Sequence, residues 1–247
     1  MSHICNTFPD YHDADIYDAE VYIGQEFEDI IYKIKHSFND WAAGLPKPNP
    51  NKKVDIDYDD SIFVSFNYTD TLEQLYDIAE KDILYIHGKA NRDSELILGH
   101  GKTKEEIFEE NKRPKPEIPD DLSEEEIAEF KYEIRESGDF IYDRAFDEAI
   151  NKVASLQKNT EGILQLYKDL FDKFHEVRKV YIYGLSFSVV DMPYLKTWIG
   201  MLDLSKVSFE VSFYQDDDED YFKSQLIRLG VPEHSIKMIR LNDIVMV

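Results

Sequence analysis

The sequence predicts an α/β fold: a mostly parallel sheet flanked by helices, with a helical insertion. Three observations predict it. Short β-rich runs recur at "SIFVSF", "ILYI", "VYIYG", "VSFEVSFY" and "IKMIRL". Helically spaced segments separate most of them, and such alternation implies parallel strands with helices on both faces. The length of 247 residues suits one large domain carrying an insertion, so 1–247 reads as a single domain with residues 102–178 inserted.

The elements follow in order. Residues 16–45 predict a helix, because Val21, Phe27, Ile30, Ile31, Ile34, Phe38 and Trp41 recur at three- and four-residue steps. "GLPKPNPNKK" then breaks it. Ser61 to Phe66 has no internal charge and reads as a central strand buried on both faces. Thr69 or Asp70 is placed to cap the helix holding Leu72, Leu75 and Ile78. Ile83 to Ile86 predicts a second strand, and Leu96 to Leu98 a third.

From Lys102 to Lys179 the pattern turns helical. "NKRPKPEIPDDLSEEE" is a charged, proline-rich connection ending in a capping box, Ser123 with Glu126. Helical periodicity then runs through Ile127, Phe130 and Ile134, from Phe140 to Val153, and through Ile163, Leu164, Tyr167, Leu170, Phe171 and Phe174. "KVYIYGLSFSVVDMPYLKTWI" returns to a strand, a Gly-Ser turn and a helix starting near Pro193. A helix from Asp217 to Leu229 lies between the last two strands.

Bulk properties exclude several functions. A formal net charge of −23 repels phosphate backbones and anionic lipid, which argues against general nucleic-acid binding. It leaves room for a small anion held by backbone N–H groups. The single cysteine, Cys5, excludes an internal disulfide and a multi-cysteine zinc module, and no metal site is expected. No apolar run approaches the roughly 20 residues that span a bilayer. The N-terminal stretch has no basic segment leading an apolar one, so the chain is expected to be cytoplasmic, with no membrane partner.

Polar residues end three of the strands: Asn67, His87 with Gly88, and Gly184 with Ser186. In a parallel sheet such ends lie along one edge, where ligands bind. An amide there holds a sugar hydroxyl or a water, and a neutral imidazole accepts a proton near neutrality. Each residue also has a plainer role. Asn67 fits a helix cap, His87 a bond to a loop carbonyl, and Gly184 a turn that needs positive φ. Taken together, at three strand ends, they point to a site.

"FVSFNYTDTLEQLY", "YIHG", "LILGHG" and "VYIYGLSFSVVDMPYL" resemble, in that order, the bacteriophage abortive infection AbiH family. That family looks like a distant branch of the sirtuin-like, Rossmann-like NAD-binding fold. The resemblance implies a phage-defence protein with a nucleotide-binding core that cleaves NAD in the manner of a glycohydrolase. In that reading Asn67 and His87 are catalytic, and Gly88, Gly184, Ser186 and Asp191 bind NAD. Asp191 would hold a ribose hydroxyl or cap the following helix, the cap being preferred. Relatives open with an apolar strand and a Gly-Asn-Gly-Phe-Asp turn, which this chain lacks; "VYIGQEFEDI" reads as helix. The first strand therefore reads as missing, through a truncated or re-started frame, and the chain is expected to cleave NAD feebly at best. The alternative is a non-catalytic interaction or sensor module that binds a protein partner or its own copy.

Overall fold

Phe63, Val64 and Ser65 run parallel to Ile83, Leu84 and Tyr85, residue against residue, as strands β1 (Phe63–Ser65) and β2 (Ile83–Tyr85). A second parallel sheet has the order β3 (Lys179–Ile182), β4 (Ser208–Phe213) and β5 (Ile236–Arg240), with Val180 beside Phe209 and Val211 beside Met238. Every strand pairing among the described residues is parallel, and the architecture is an α/β fold of the Rossmann-like kind. The computed structural model describes residues 13–54, 60–91, 96–112, 118–119, 122–136 and 140–244.

Most of the helices form where the periodicity places them. They are α1 (Asp13–Ala43), α2 (Thr71–Tyr76), α3 (Lys104–Asn111), α4 (Glu124–Glu136), α5 (Phe140–Ala154), α6 (Thr160–Leu166), α7 (Lys168–Phe171), α8 (Met192–Met201) and α9 (Asp216–Arg228). The Ser123–Glu126 capping box is present at the start of α4, with Glu126 Oε2 accepting from the Ser123 N–H at 2.8 Å. The Glu126 carboxyl is held below its ordinary value by these Ser123 hydrogen bonds.

Four elements differ from expectation. Leu96–Leu98 is not a strand: the Ile97 N–H makes one bond, to the His87 carbonyl at 3.0 Å, and no ladder follows. The helix expected through 163–174 is broken at Tyr167, whose N–H is shared between the Ile163 and Gln165 carbonyls. A short turn, α7, and a 3₁₀ segment over Asp172–Glu176 carry the rest. The helix α3 lies just before the proline-rich connection, in a stretch given no element above, and Thr103 and Glu106 form a reciprocal capping box at its start. β1 pairs only with β2 among the described residues, so it is an edge strand rather than an inner one.

Contacts divide the chain into two compact units, Met1–Ser37 with Lys102–Gln157, and Phe38–Gly101 with Lys158–Val247. In the first unit Gly24 of α1 is buried, and a Cβ there would lie 3.1 Å from Glu148 of α5. Charge pairs of Glu20 with Arg144 and of Glu28 with Lys152 join the same two helices.

The second unit holds both sheets on one apolar core. Phe209 and Val211 of β4 are fully buried. Glu210 points the other way and accepts from Tyr183 Oη at 2.5 Å and Lys237 Nζ at 2.9 Å. Against the apolar face pack Tyr194, Leu195, Trp198 and Ile199 of α8, an i, i+1, i+4, i+5 stripe, with Phe222 and Leu226 of α9. Leu84 of β2 and the neighbouring Ile86 belong to this same core, so the smaller sheet is anchored by packing rather than by strand pairing.

Candidate active site at the strand ends

His87 stands two residues beyond the end of β2 and is 2% exposed. Gly88 turns the chain immediately afterwards at φ 84°, a left-handed conformation that suits glycine. Around the imidazole stand Phe66, Tyr68 and Tyr194, with ring centroids 5.7, 5.9 and 5.9 Å away. On its remaining side is Asp191, with His87 Nε2 and Asp191 Oδ1 3.6 Å apart.

Asp191 is fixed by its own turn. Its Oδ2 accepts from Ser188 Oγ at 2.8 Å, and its N–H donates to the Ser188 carbonyl at 2.9 Å. It occupies the N-cap position of α8, but its carboxylate makes no capping bond to that helix. The preferred reading of Asp191 as a helix cap is thus corrected: Ser188 holds the carboxylate towards the imidazole instead. The turn is also strained, since Phe187 has φ 53°, unusual for a bulky residue. Phe187 is held there by burial and by stacking on Phe222 at 4.7 Å.

Electrostatics set the protonation states. Burial pushes the His87 imidazole down to about 4, and the cation of Lys158 adds to the effect. Asp191 Oδ1, 3.6 Å from Nε2, is the nearest acceptor that a proton on His87 would meet. Burial likewise lowers Lys158, which Asp191 opposes. Burial raises the Tyr68 phenol to about 12, helped by the charge on Asp191, and Tyr68 Oη donates to the Ile97 carbonyl at 3.1 Å. Near neutral pH the cluster thus pairs a neutral, buried imidazole with an oriented carboxylate. His87 Nδ1 and Trp198 Nε1 are buried with no hydrogen-bond partner among the described residues.

The imidazole carries a pH dependence of stability. His87 ionises near 6.5 when unfolded and near 4 when folded, so the unfolded chain binds the extra proton between those values. Its contribution is complete above pH 6.5 and is lost as pH falls towards 4, by at most about 3 kcal/mol. Denaturant midpoints at pH 7 and pH 5 are expected to differ more for the natural chain than for His87→Gln. Equal differences in the two proteins would remove His87 as the source.

The other strand ends form a second cluster. Gly184 and Ser186 line a cleft of about 280 Å³ with Ser212, Phe213, Tyr214, Asp218 and Tyr221. The Gly184 N–H donates to Ser212 Oγ at 3.0 Å, tying the end of β3 to that of β4. Gly184 has φ 67° and a Cβ there would meet nothing within 4 Å, so backbone conformation, not space, requires glycine. Gly184→Ala is expected to cost about 1–2 kcal/mol, measured as a lowered denaturation midpoint. An unchanged midpoint would show that the turn relaxes.

The strand ends are therefore brought together in part. His87 meets Asp191, and Gly184 meets Ser186 across one cleft. Asn67 is exposed; its backbone N–H donates to Ser65 Oγ at 3.2 Å, while its side-chain amide makes no hydrogen bond to a described residue. Ser188, Tyr68 and Lys158 complete the His87 cluster and had not been singled out. Tyr68 follows Asn67 directly and was within reach of the motif; Lys158 had no signal, since only the chain path brings it there. Among the described residues no three His, Cys, Asp or Glu side chains are grouped to hold a metal ion, and no helix is long and apolar enough to cross a membrane. No curated protein and no solved structure matches the chain. A family model described as bacteriophage abortive infection AbiH matches residues 4–213, most of the chain, which therefore belongs to the AbiH family.

Proposed function

We infer that the protein serves abortive infection, the defence its family is named for, and does so as a nucleotide-binding enzyme that cleaves the nicotinamide–ribose bond of NAD. The observation that carries this reading is the 3.6 Å approach of His87 to Asp191, two residues far apart in the chain that close at one edge of parallel strands. N-glycosidic cleavage needs a positioned nucleophile and a group to take its proton. Water attacks the anomeric carbon, nicotinamide leaves with the bonding electrons as a neutral base, and His87 accepts the proton from water. Asp191 stabilises the imidazolium so formed.

Asn67, exposed beside this cluster in sequence, would orient the ribose or the water, and Gly88 would give the backbone room to approach. The cleft at Gly184 and Ser186 suits the adenosine end, since Tyr214, Tyr221 and Phe213 offer faces for a base and Ser186 and Asp218 offer partners for sugar hydroxyls. Among the described residues no lysine or arginine lines that cleft, so it suits the uncharged nucleoside better than the pyrophosphate. Incubation of the pure protein with NAD, following nicotinamide release, tests the reading. Absence of release under every condition, or equal release by Asp191→Asn, would overturn it.

A second reading is favoured by one observation. An imidazole 2% exposed and depressed to about 4 is also what a packed core histidine shows. The protein would then keep the fold as a sensor or interaction module. Calorimetry with NAD and ADP-ribose separates the two. Binding that Ser186→Ala weakens supports the enzyme, and no binding supports the module.

A further inference from the structure

The first unit leaves an apolar seam of α1 open to solvent. Ile23, Phe27, Ile30 and Ile34 follow one another at steps of four, three and four, the spacing of a coiled-coil seam. Ile30 is 47% and Ile34 59% exposed, while Ile23 and Phe27 are half-buried. Gly24 and its close approach to α5 lie on a different side of the helix. Scattered exposed apolar residues need no explanation, but four at one helical spacing do.

Charge along the helix says what covers it. Residues 13–29 carry seven Asp or Glu and no Lys or Arg; residues 30–37 carry Lys33 and Lys35 and no acid. A parallel pair of such helices would set acid beside acid. An antiparallel pair sets the acidic part of each beside the basic part of the other. With Ile23 opposite Ile34 of the second copy and Phe27 opposite Ile30, all four seam residues find apolar partners twice over. In that register Glu26 and Lys33, both flanking the seam on the same side, face each other across the pair. Glu26 and Lys33 are exposed, and neither makes an ion pair among the described residues.

We propose that α1 docks on α1 of a second copy of this chain, antiparallel, through Ile23, Phe27, Ile30 and Ile34, with Glu26–Lys33 pairs fixing the direction. This is independent of the NAD reading and holds whether or not the protein is an enzyme. A seam of four layers is small beside a standard interface, so the dimer forms in the micromolar range and is concentration-dependent.

Sedimentation velocity on the full chain, from about 1 to 100 µM, tests it. The natural chain moves from monomer to dimer over that range. The double variant Ile30→Glu/Ile34→Glu remains monomeric with an unchanged far-ultraviolet circular dichroism spectrum, since both side chains are exposed. Glu26→Lys and Lys33→Glu each weaken association at least tenfold by placing like charges together. The two combined restore it to within about threefold. A natural chain that stays monomeric at 100 µM, a dimer indifferent to Ile30→Glu/Ile34→Glu, or a combined charge reversal no better than its parts would each overturn the proposal.

Discussion

Trp198→Ala is expected to lower stability by about 3–5 kcal/mol, the range for removing a large buried aromatic side chain. Trp198 is 7% exposed and sits where the second unit's layers meet. Its ring lies 5.7 Å from Phe66 and from Tyr194, and 5.5 Å from Phe171. Phe66 follows β1, Tyr194 shares α8, and Phe171 ends α7, so one indole joins the smaller sheet to helices that cover the larger. Truncation leaves a cavity bounded by rigid rings that cannot collapse into it. Against a usual total of about 5–15 kcal/mol, such a loss is a large share. Urea unfolding followed by near-ultraviolet circular dichroism gives the value. Trp198→Phe, which keeps most of the volume, should lose far less. A loss under about 1 kcal/mol for the alanine variant would mean that the cluster is not the joint described.

His87→Ala is expected to lower NAD turnover by about a hundredfold or more, the ordinary contribution of a positioned general base. Turnover is itself expected to be slow, because among the described residues no glycine-rich strand-turn supplies backbone N–H groups to the pyrophosphate. The informative comparison is therefore the ratio, with Asp191→Asn as companion. Removing the carboxylate leaves His87 in place but without the partner for its proton, so the rate falls while the variant stays folded. The pH profile separates this from a structural role: loss of Asp191 moves the acid limb of the profile to lower pH, because the imidazole becomes harder to protonate. Nicotinamide release at the same rate from His87→Ala and from the natural chain would end the assignment.

Much of this architecture was legible in local sequence, for identifiable reasons. β4 announces itself because Phe209, Val211 and Phe213 alternate, and the start of α4 because Ser123 and Glu126 sit three residues apart. What stayed hidden depended on residues distant in the chain. Leu96–Leu98 has the composition of a strand but makes no ladder among the described residues beyond the Ile97 bond to the His87 carbonyl, and composition cannot report how far a neighbour runs alongside. Asp191 looks like a cap because it precedes a helix. Only the closeness of His87, set by tertiary packing, shows where its carboxylate is directed. Lys158 precedes a seven-residue helix and carries no motif, yet its charge is felt at the imidazole. The helix α3 is different, since Thr103 and Glu106, three residues apart, mark its start in the local sequence.

The division into two small sheets has a consequence for amide hydrogen exchange. β1 and β2 share only three residue pairs, and a two-stranded ribbon has little stability of its own in water. Its amides are therefore set to exchange through a partial opening that leaves β3, β4 and β5 protected. His87 rides on the sheet that opens and Asp191 on the element that does not. The pair would then exist only in the closed ensemble, and its occupancy would follow the protection factors of Leu84 and Tyr85. A ligand spanning both residues would slow exchange at those amides first, while those of Val211 and Leu226 stay as slow as before.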